Sequence, residues 1–463
     1  MNTLSKKKKA PVTKNEIIEV DITDLSHQGL GVAHVEGYPI FIENALPEER
    51  VKAKINHVGR RMGHAKAVEI LTESPYRIEI LDEVYTQNGT MPLQHLAYTQ
   101  QLSFKQNQVK KLLRKVGGLE DIPVFETIGM GTPLAYRNKA QIPVREIDGH
   151  LTTGFYKKGT HDLIPIEDFI IQDPKIDEAI LVVRDILRKY NITAYHEEQH
   201  TGDVRHIVVR RGHFTGETMI VLVTRTMILP QAQEIIREIR EQLPEVVSIV
   251  QNINSEKTNV ILGKQSMVLY GQDYYSDELM GHTFKISHQS FYQVNSVQTE
   301  KLYQTAVNYA NLTGEEVVVD AYSGIGTMTL ALAEEANHVY GVEIVAPAVE
   351  NAKTNAKENK ISNVTFEVAD AKDWLVEKSK TGFKVDVVVV DPPRKGLAEA
   401  FIDAVLEMQP EKMVYVSCNP NTLARDLKRL NEGGYTVEKV QPVDMFPQTY
   451  HIETVTLLTK NSQ

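Results

Sequence analysis

Val317-Val318-Val319-Asp320-Ala321-Tyr322-Ser323-Gly324-Ile325-Gly326-Thr327 is the stretch on which the fold turns. Three consecutive valines read as a strand buried on both faces, the pattern of a parallel sheet rather than a half-exposed one. The strand stops at a turn whose glycines let the backbone bend tightly and approach a ligand. TMTLALAEEA (327–336) reads as the helix that follows. The rhythm then repeats. HVYGVE (338–343), VTFEVAD (364–370), VDVVVVDPP (385–393) and MVYVSC (413–418) read as strands. AVENAKTNAKENK (348–360), LAEAFIDAVLEM (397–408) and NPNTLARDLKRL (419–430) read as helices. Alternating strand and helix predicts an α/β domain built on a doubly wound parallel sheet, over residues 281–463.

Upstream the pattern differs. Residues 16–72 alternate apolar and polar in four or five short strands, EIIEVDI, YPIFI, RVKAKI and HAKAVEIL among them. This predicts a small OB-like β-barrel. Arg50, Lys52, Lys54, Arg60, Arg61 and Lys66 are candidates for a basic face on it, against the ordinary reading of a solvated charged surface. Residues 1–15, with Lys6–Lys9 and Lys14, read as a flexible basic tail. Residues 73–280 read as a central α+β domain without a catalytic motif. Its helix near 98–117 carries Lys105, Lys110, Lys111, Arg114 and Lys115, ends at Gly117-Gly118, and is placed to dock on the catalytic domain.

Composition sets limits. The chain has 463 residues, a formal net charge of −10 and one cysteine, Cys418. The acidic balance argues against broad electrostatic wrapping of nucleic acid and leaves room for local basic patches. A single thiol excludes a disulfide or a multi-cysteine metal site within the chain. No apolar run approaches the ~20 residues of a bilayer span, and no apolar run follows the N-terminal lysines, so no membrane partner and a cytoplasmic location are expected.

In an open parallel sheet, ligands bind at the C-terminal strand ends. After the first strand come Tyr322, Gly324 and Thr327. The third position of a dinucleotide fingerprint is Thr329, which argues against a pyrophosphate cofactor. Glu343 closes the second strand, seventeen residues past Gly326, and an acid there can hold two ribose hydroxyls. Asp370 ends the third, either facing an adenine edge or capping a helix. Asp391 opens Asp391-Pro392-Pro393-Arg394, whose prolines force a turn over the crevice. Cys418 lies between a strand end and a helix start, where the helix dipole favours a thiolate. Glu453, by spacing alone, reads as a surface acid at a strand start.

SFYQVN (290–295), DAYSGIGT, DPPRKG, SCNPNTLARD and DMFPQTYHIE, in this order, resemble the blocks of the RNA (uracil-5-)-methyltransferases, specifically the RumA-like 23S rRNA enzymes with an N-terminal TRAM barrel. The resemblance implies a Rossmann-like catalytic domain that uses S-adenosylmethionine to form 5-methyluridine. It implies Cys418 as the nucleophile that adds to the base and Glu453 as the base that removes the carbon-5 proton. It implies Gln293, Tyr322, Thr327, Glu343, Asp370 and Asp391 as lining of the cofactor site, beside Gly324 of the glycine turn. Gln293 lies outside the sheet motifs and could not have been chosen from spacing. The implied partner is 23S rRNA with a flipped-out uridine, and a monomer is expected. One departure stands out. Relatives carry a cysteine-rich segment before LQH that binds an iron–sulfur cluster, whereas here Asn88 and Met91 occupy cysteine positions. No cluster is expected, and packing must replace it.

Other readings stay open. A tRNA uracil-5 methyltransferase would use the same chemistry, although the barrel argues against it. Methylation of a base nitrogen fits DPPR and needs no thiol. An RNA-binding assembly factor with a vestigial site would not bind S-adenosylmethionine. A nicotinamide oxidoreductase fits least, given Thr329.

Overall fold

The computed structural model describes residues 10–461. They form two compact units. The first holds the described residues up to Gln108 together with Phe446–Tyr450; the second holds Val109–Met445 and the described residues from His451 onward.

The first unit is built on a six-stranded sheet. Its strands are Ile17–Asp21, Asp24–Leu25, Gly31–Val35, Tyr38–Glu43, Arg50–Val58 and Gly63–Thr72, in the spatial order first, fifth, sixth, fourth, third, second. Alternate residues Val51, Ala53 and Ile55 face a core with Ile40, Ile42 and Ala65. Two expectations change here. Val12 is 3% exposed within this core and the Asn15 N–H donates to the Ile55 carbonyl. The end of the expected basic tail is therefore part of the sheet's packing; Lys6–Lys9 lie outside the described residues. Residues 73–108 also belong with this unit rather than heading the central domain. Their anchor is Arg77, whose guanidinium meets the buried Glu49 carboxylate at 2.6 and 2.9 Å and the Asn44 carbonyl at 3.1 Å.

The segment around Asn88 and Met91 is held by packing and hydrogen bonds. Met91 is fully buried. The Gln94 amide accepts from the Leu81 N–H and donates to the Asp82 carbonyl and the Thr86 hydroxyl. Asn88 Oδ1 accepts from the Thr90 N–H at 2.9 Å. Lys105 drops out of the basic helix face: it is fully buried and donates to the Phe446 carbonyl at 3.1 Å. The helix Tyr98–Leu112 continues as a π-helical turn, Leu113–Gly117, and stops at Gly118, which takes φ 67°. Val109 and Leu113 join the core of the second unit.

Within the second unit a seven-stranded sheet runs from Gln265–Gly271 through Val246–Ile253, Thr218–Thr224, Val204–Arg211, Lys139–Ile147 and His150–Tyr156 to Leu163–Pro165. Helices Pro174–Lys189 and Ala232–Gln242 pack into its core.

The C-terminal sheet has seven strands: β1 (Val317–Ala321), β2 (His338–Glu343), β3 (Val364–Val368), β4 (Val387–Val390), β5 (Lys412–Ser417), β6 (Tyr435–Val443) and β7 (Glu453–Lys460). Their order is β3-β2-β1-β4-β5-β7-β6. The helices are α1 (Ser296–Ala310), α2 (Thr327–Ala333), α3 (Ala346–Glu358), α4 (Ala371–Lys380), α5 (Glu399–Met408) and α6 (Pro420–Glu432). The first five strands are parallel, as the valine runs predict. β7 runs antiparallel to both β5 and β6, which those runs do not predict. The segment between β6 and β7 is too short for a helical crossover, so the chain turns back and β7 slots between β5 and β6. Neighbouring strands β1 and β4 connect onward in opposite directions, which opens a crevice at their C-terminal ends. Among the described residues no helix is long and apolar enough to cross a membrane.

Candidate active site

The glycine turn after β1 is wound unusually tightly. Tyr322, Gly324 and Gly326 all have positive φ, at 74°, 55° and 87°. For tyrosine this is a strained conformation, held here by Tyr322 and Ser323 N–H groups donating to the Val342 carbonyl. A Cβ at Gly326 would stand 3.0 Å from the Phe366 ring, so glycine is needed there for packing. A Cβ at Gly324 would meet nothing within 4 Å, so that position opens onto clear space. Glu343 ties the turn down from the next strand: Oε2 accepts from the Gly324 N–H at 3.1 Å and Oε1 from the Val345 N–H at 2.9 Å. Each oxygen keeps a second lone pair, as two ribose hydroxyls would require. The Ser323 hydroxyl is buried with no protein partner. An open edge, a bifunctional carboxylate and an orphaned hydroxyl fit a nucleoside at this turn.

The other expected lining residues are placed less uniformly. Asp370 caps α4, accepting from the Lys372 N–H at 2.9 Å, and its charge also reaches Tyr322. Burial raises the Tyr322 hydroxyl to about 12. Thr327 opens α2, and its hydroxyl lies 3.2 Å from that of Tyr303 on α1. Gln293 is fixed through its backbone, whose carbonyl accepts from Asn138 Nδ2 at 2.9 Å. That bond orients the segment and does not bring the side chain to the cluster described next.

Asp391, Cys418 and Glu453 converge. The reason is register: antiparallel β7 pairs Thr454 with Ser417, so the first residue of β7 lies beside the end of β5. Glu453 is 4% exposed, which corrects its reading as a surface acid. Burial, and then the Asp391 charge, hold its carboxyl well above the usual range, with Arg394 opposing. Burial also raises Asp391 to about 7. Asp320, on β1, rises to about 7 through burial and the charges of Asp391 and Glu343, against a 2.6 Å bond from Thr329 Oγ1.

Cys418 is half-buried, and burial followed by the charges of Glu453 and Asp391 pushes its thiol up to about 12. The expected thiolate is therefore not the resting form. The helix start is present, but desolvation and two carboxylates outweigh it. Arg394 is the cation that offsets them. Its loop is locked to α6: the Arg394 carbonyl accepts from Asn419 Nδ2 at 2.8 Å and from Thr422 Oγ1 at 3.2 Å. Asp426, 2% exposed, accepts from the Leu397 N–H and the Tyr415 hydroxyl, each at 2.8 Å. Asp320, Arg394 and Asp426 lie within the sequence motifs with no role assigned to them there, and Tyr303, in an ordinary amphipathic helix, carries no local signal.

A family model described as tRNA (Uracil-5-)-methyltransferase matches residues 97–461, and a TRAM domain model matches residues 11–68. An uncharacterized RNA methyltransferase of Enterococcus faecalis is 54% identical over 453 residues, covering 98% of this chain and 99% of that protein. One from Lactiplantibacillus plantarum is 54% identical over 451 residues, covering 97% and 98%. Among solved structures, the Pyrococcus abyssi tRNA (uracil-54, C5)-methyltransferase in complex with S-adenosyl-L-homocysteine superposes with a TM-score of 0.76 at 26% identity, covering 95% of this chain and 99% of that one.

Proposed function

The chain belongs to the tRNA (uracil-5-)-methyltransferase family of S-adenosylmethionine-dependent RNA methyltransferases, and on that premise we propose that it methylates carbon 5 of a uridine in 23S rRNA through a covalent bond to Cys418. The observation that carries the reading is the convergence of Cys418, Glu453 and Asp391 at one sheet edge beside the glycine turn.

Uracil carbon 5 is a weak nucleophile. Addition of the Cys418 sulfur to ring carbon 6 pushes electrons into the ring and activates carbon 5. S-adenosylmethionine supplies an electrophilic methyl group when bound at the turn of Tyr322, Gly324 and Thr327, with Glu343 on its ribose and Asp370 and Gln293 completing the lining. Glu453 takes the carbon-5 proton, and Cys418 then leaves. A carboxylate raised by burial is a stronger base than one in water, which suits this step. Cys418 must lose its proton as it adds, and ionised Asp391, distinct from the Glu453 carboxylate that takes the carbon-5 proton, is the neighbouring group that can receive it. Arg394 balances one negative charge, so the site accommodates the thiolate best when its acidic neighbours are protonated.

In the first unit Lys54 sits opposite Lys66 on neighbouring strands, with His57 opposite His64 and Phe41 against His64 at 5.6 Å. Like charges placed opposite each other are unfavourable without a counter-charge, which supports an RNA backbone as the partner of this face. Arg50 and Lys52 are instead paired with Glu19 and Glu69 at 2.7 and 2.8 Å. The barrel does not separate rRNA from tRNA acceptors, because the Pyrococcus tRNA enzyme covers 95% of this chain. That coverage favours a second reading, a tRNA acceptor. Labelled methyl transfer to unmodified 23S rRNA and to unmodified tRNA decides: transfer to rRNA at least tenfold faster is expected, and transfer to tRNA alone overturns the rRNA assignment.

The acid cluster makes a prediction about the donor. Asp320 and Asp391, both raised to about 7, hold protons below that pH. A sulfonium cation favours their ionised forms. Affinity for S-adenosylmethionine should therefore rise with pH through 7 and level off above it, by at most about tenfold for each titrating carboxylate. Affinity for S-adenosylhomocysteine, which lacks the sulfonium charge, should stay flat. Calorimetric titrations at pH 6, 7 and 8 check this.

A further inference from the structure

The central sheet carries a cavity of ≈ 300 Å³ that shares no residue with the cluster around Cys418. Arg145, Tyr156, Tyr195, Glu197, Arg205 and His206 line it. Three adjacent strands, Lys139–Ile147, His150–Tyr156 and Val204–Arg211, supply four of these residues, so the cavity rests on a rigid sheet.

Its charge is unbalanced. Arg205 and Arg145 both approach the Tyr195 ring, at 4.4 and 5.5 Å from the centroid. Arg205 is 2% exposed, and the carboxylate whose charge reaches it is Glu197, shared with Arg145. Its guanidinium donates to the Asn254, Glu256 and Thr258 carbonyls at 2.8, 2.5 and 2.8 Å, and its buried Nε has no hydrogen-bond partner. Arg145 donates to the Val144 carbonyl at 2.8 Å, while Glu197, the one carboxylate of the lining, stands off at 3.8 Å and lies closer to His161, at 3.1 Å. His206 contributes no positive charge, since burial and both arginines push it down to about 3. Two guanidiniums against one shared carboxylate leave a net positive, largely desolvated cavity. Burying a cation without a counter-ion is costly, and an oxyanion entering here would remove that cost.

We propose that this cavity takes one backbone phosphate of the substrate RNA, gripped by Arg145 with Arg205 as the fixed charge behind it. A guanidinium fork matches phosphate oxygens, and the turn that brings Thr160 and His161 to the rim also carries Lys157 and Lys158. The inference rests on the RNA acceptor argued above and adds a contact remote from the methyl-transfer residues.

Arg145→Gln is the test, because Arg205 also holds the 254–258 loop and its loss would confound folding. Filter binding of the RNA acceptor is measured across a salt series, beside kcat, KM and S-adenosylmethionine affinity. The expected result is a Kd and KM for RNA raised roughly 3- to 30-fold, with the slope of log K against log salt reduced by about one contact. The values of kcat and donor affinity should be unchanged, and Arg145→Lys should restore the salt slope. An unchanged Kd and slope would assign Arg145 to packing alone and overturn the proposal. Uridine 5′-monophosphate should compete no better than salt of equal ionic strength; micromolar binding would give the cavity to a free nucleotide instead. Because filter binding does not depend on methyl transfer, a wild-type enzyme that methylates no uridine would sink the uracil-5 reading and leave this measurement standing.

Discussion

Cys418→Ala should abolish methyl transfer to RNA, lowering turnover by at least about 10⁴-fold, the scale on which loss of a covalent nucleophile acts. Without sulfur addition at carbon 6, carbon 5 has no electron density to offer, and nothing else in the chain replaces the thiol, since it has one cysteine. S-adenosylmethionine affinity should change by less than about twofold, because the Glu343 bonds to the Gly324 and Val345 amides are untouched. Cys418 is only half-buried, so the alanine leaves a small void and an intact fold. Retained turnover would discard covalent catalysis and favour methylation of a base nitrogen. Cys418→Ser should be nearly as inactive, since a hydroxyl is a far poorer nucleophile at neutral pH.

The high thiol pKa bears on how such an enzyme avoids damage. A resting thiolate would be open to alkylation and oxidation. Here burial, followed by the charges of Glu453 and Asp391, keeps the sulfur protonated. In the proposed mechanism Glu453 and Asp391, which add to the effect of burial on the thiol, are also the groups that would accept protons.

How much of this could be read from the sequence depends on whether the signal is local. The five parallel strands follow from valine runs that end in turn residues, and those runs also mark the strand ends where Tyr322, Glu343, Asp391 and Cys418 lie. Glu453 depends on something nonlocal: the insertion of antiparallel β7 between β5 and β6, which converts a strand start into a neighbour of Ser417. No spacing rule encodes that. The thiolate expectation failed for a related reason. The helix start is visible in NPNTLARD, but the opposing carboxylates arrive from β4 and β7. Lys105 sits among basic residues in sequence, yet its helical position turns it inward to the Phe446 carbonyl. Residues 73–108 group with the first unit because the Arg77–Glu49 pair joins residues 28 apart in sequence, which no local signal marks. Asp370, which the sequence reads either as a cap or as facing an adenine edge, accepts the capping bond from the Lys372 N–H with its charge still close to Tyr322.

Glu453→Gln should stop the reaction after the methyl group has arrived. The amide keeps the shape of the side chain and loses its capacity to accept a proton. Carbon 5 would then carry both hydrogen and methyl, elimination would have no base, and Cys418 would stay bonded to the ring. Turnover should fall about 10²–10⁴-fold, while a single round of labelled methyl transfer persists and the protein runs with its RNA on a denaturing gel. At a pH where Glu453 is ionised, the same change also removes a negative charge beside Cys418, which after burial is a cause of its raised pKa. Alkylation of Cys418 by iodoacetamide in the free enzyme should therefore become faster as turnover becomes slower. Asp391→Asn provides the contrast: it too should speed alkylation, but it should leave no trapped adduct, because the proton acceptor at carbon 5 is intact. If Glu453→Gln releases its RNA normally while alkylation still accelerates, Glu453 is part of the charge cluster and the base lies elsewhere.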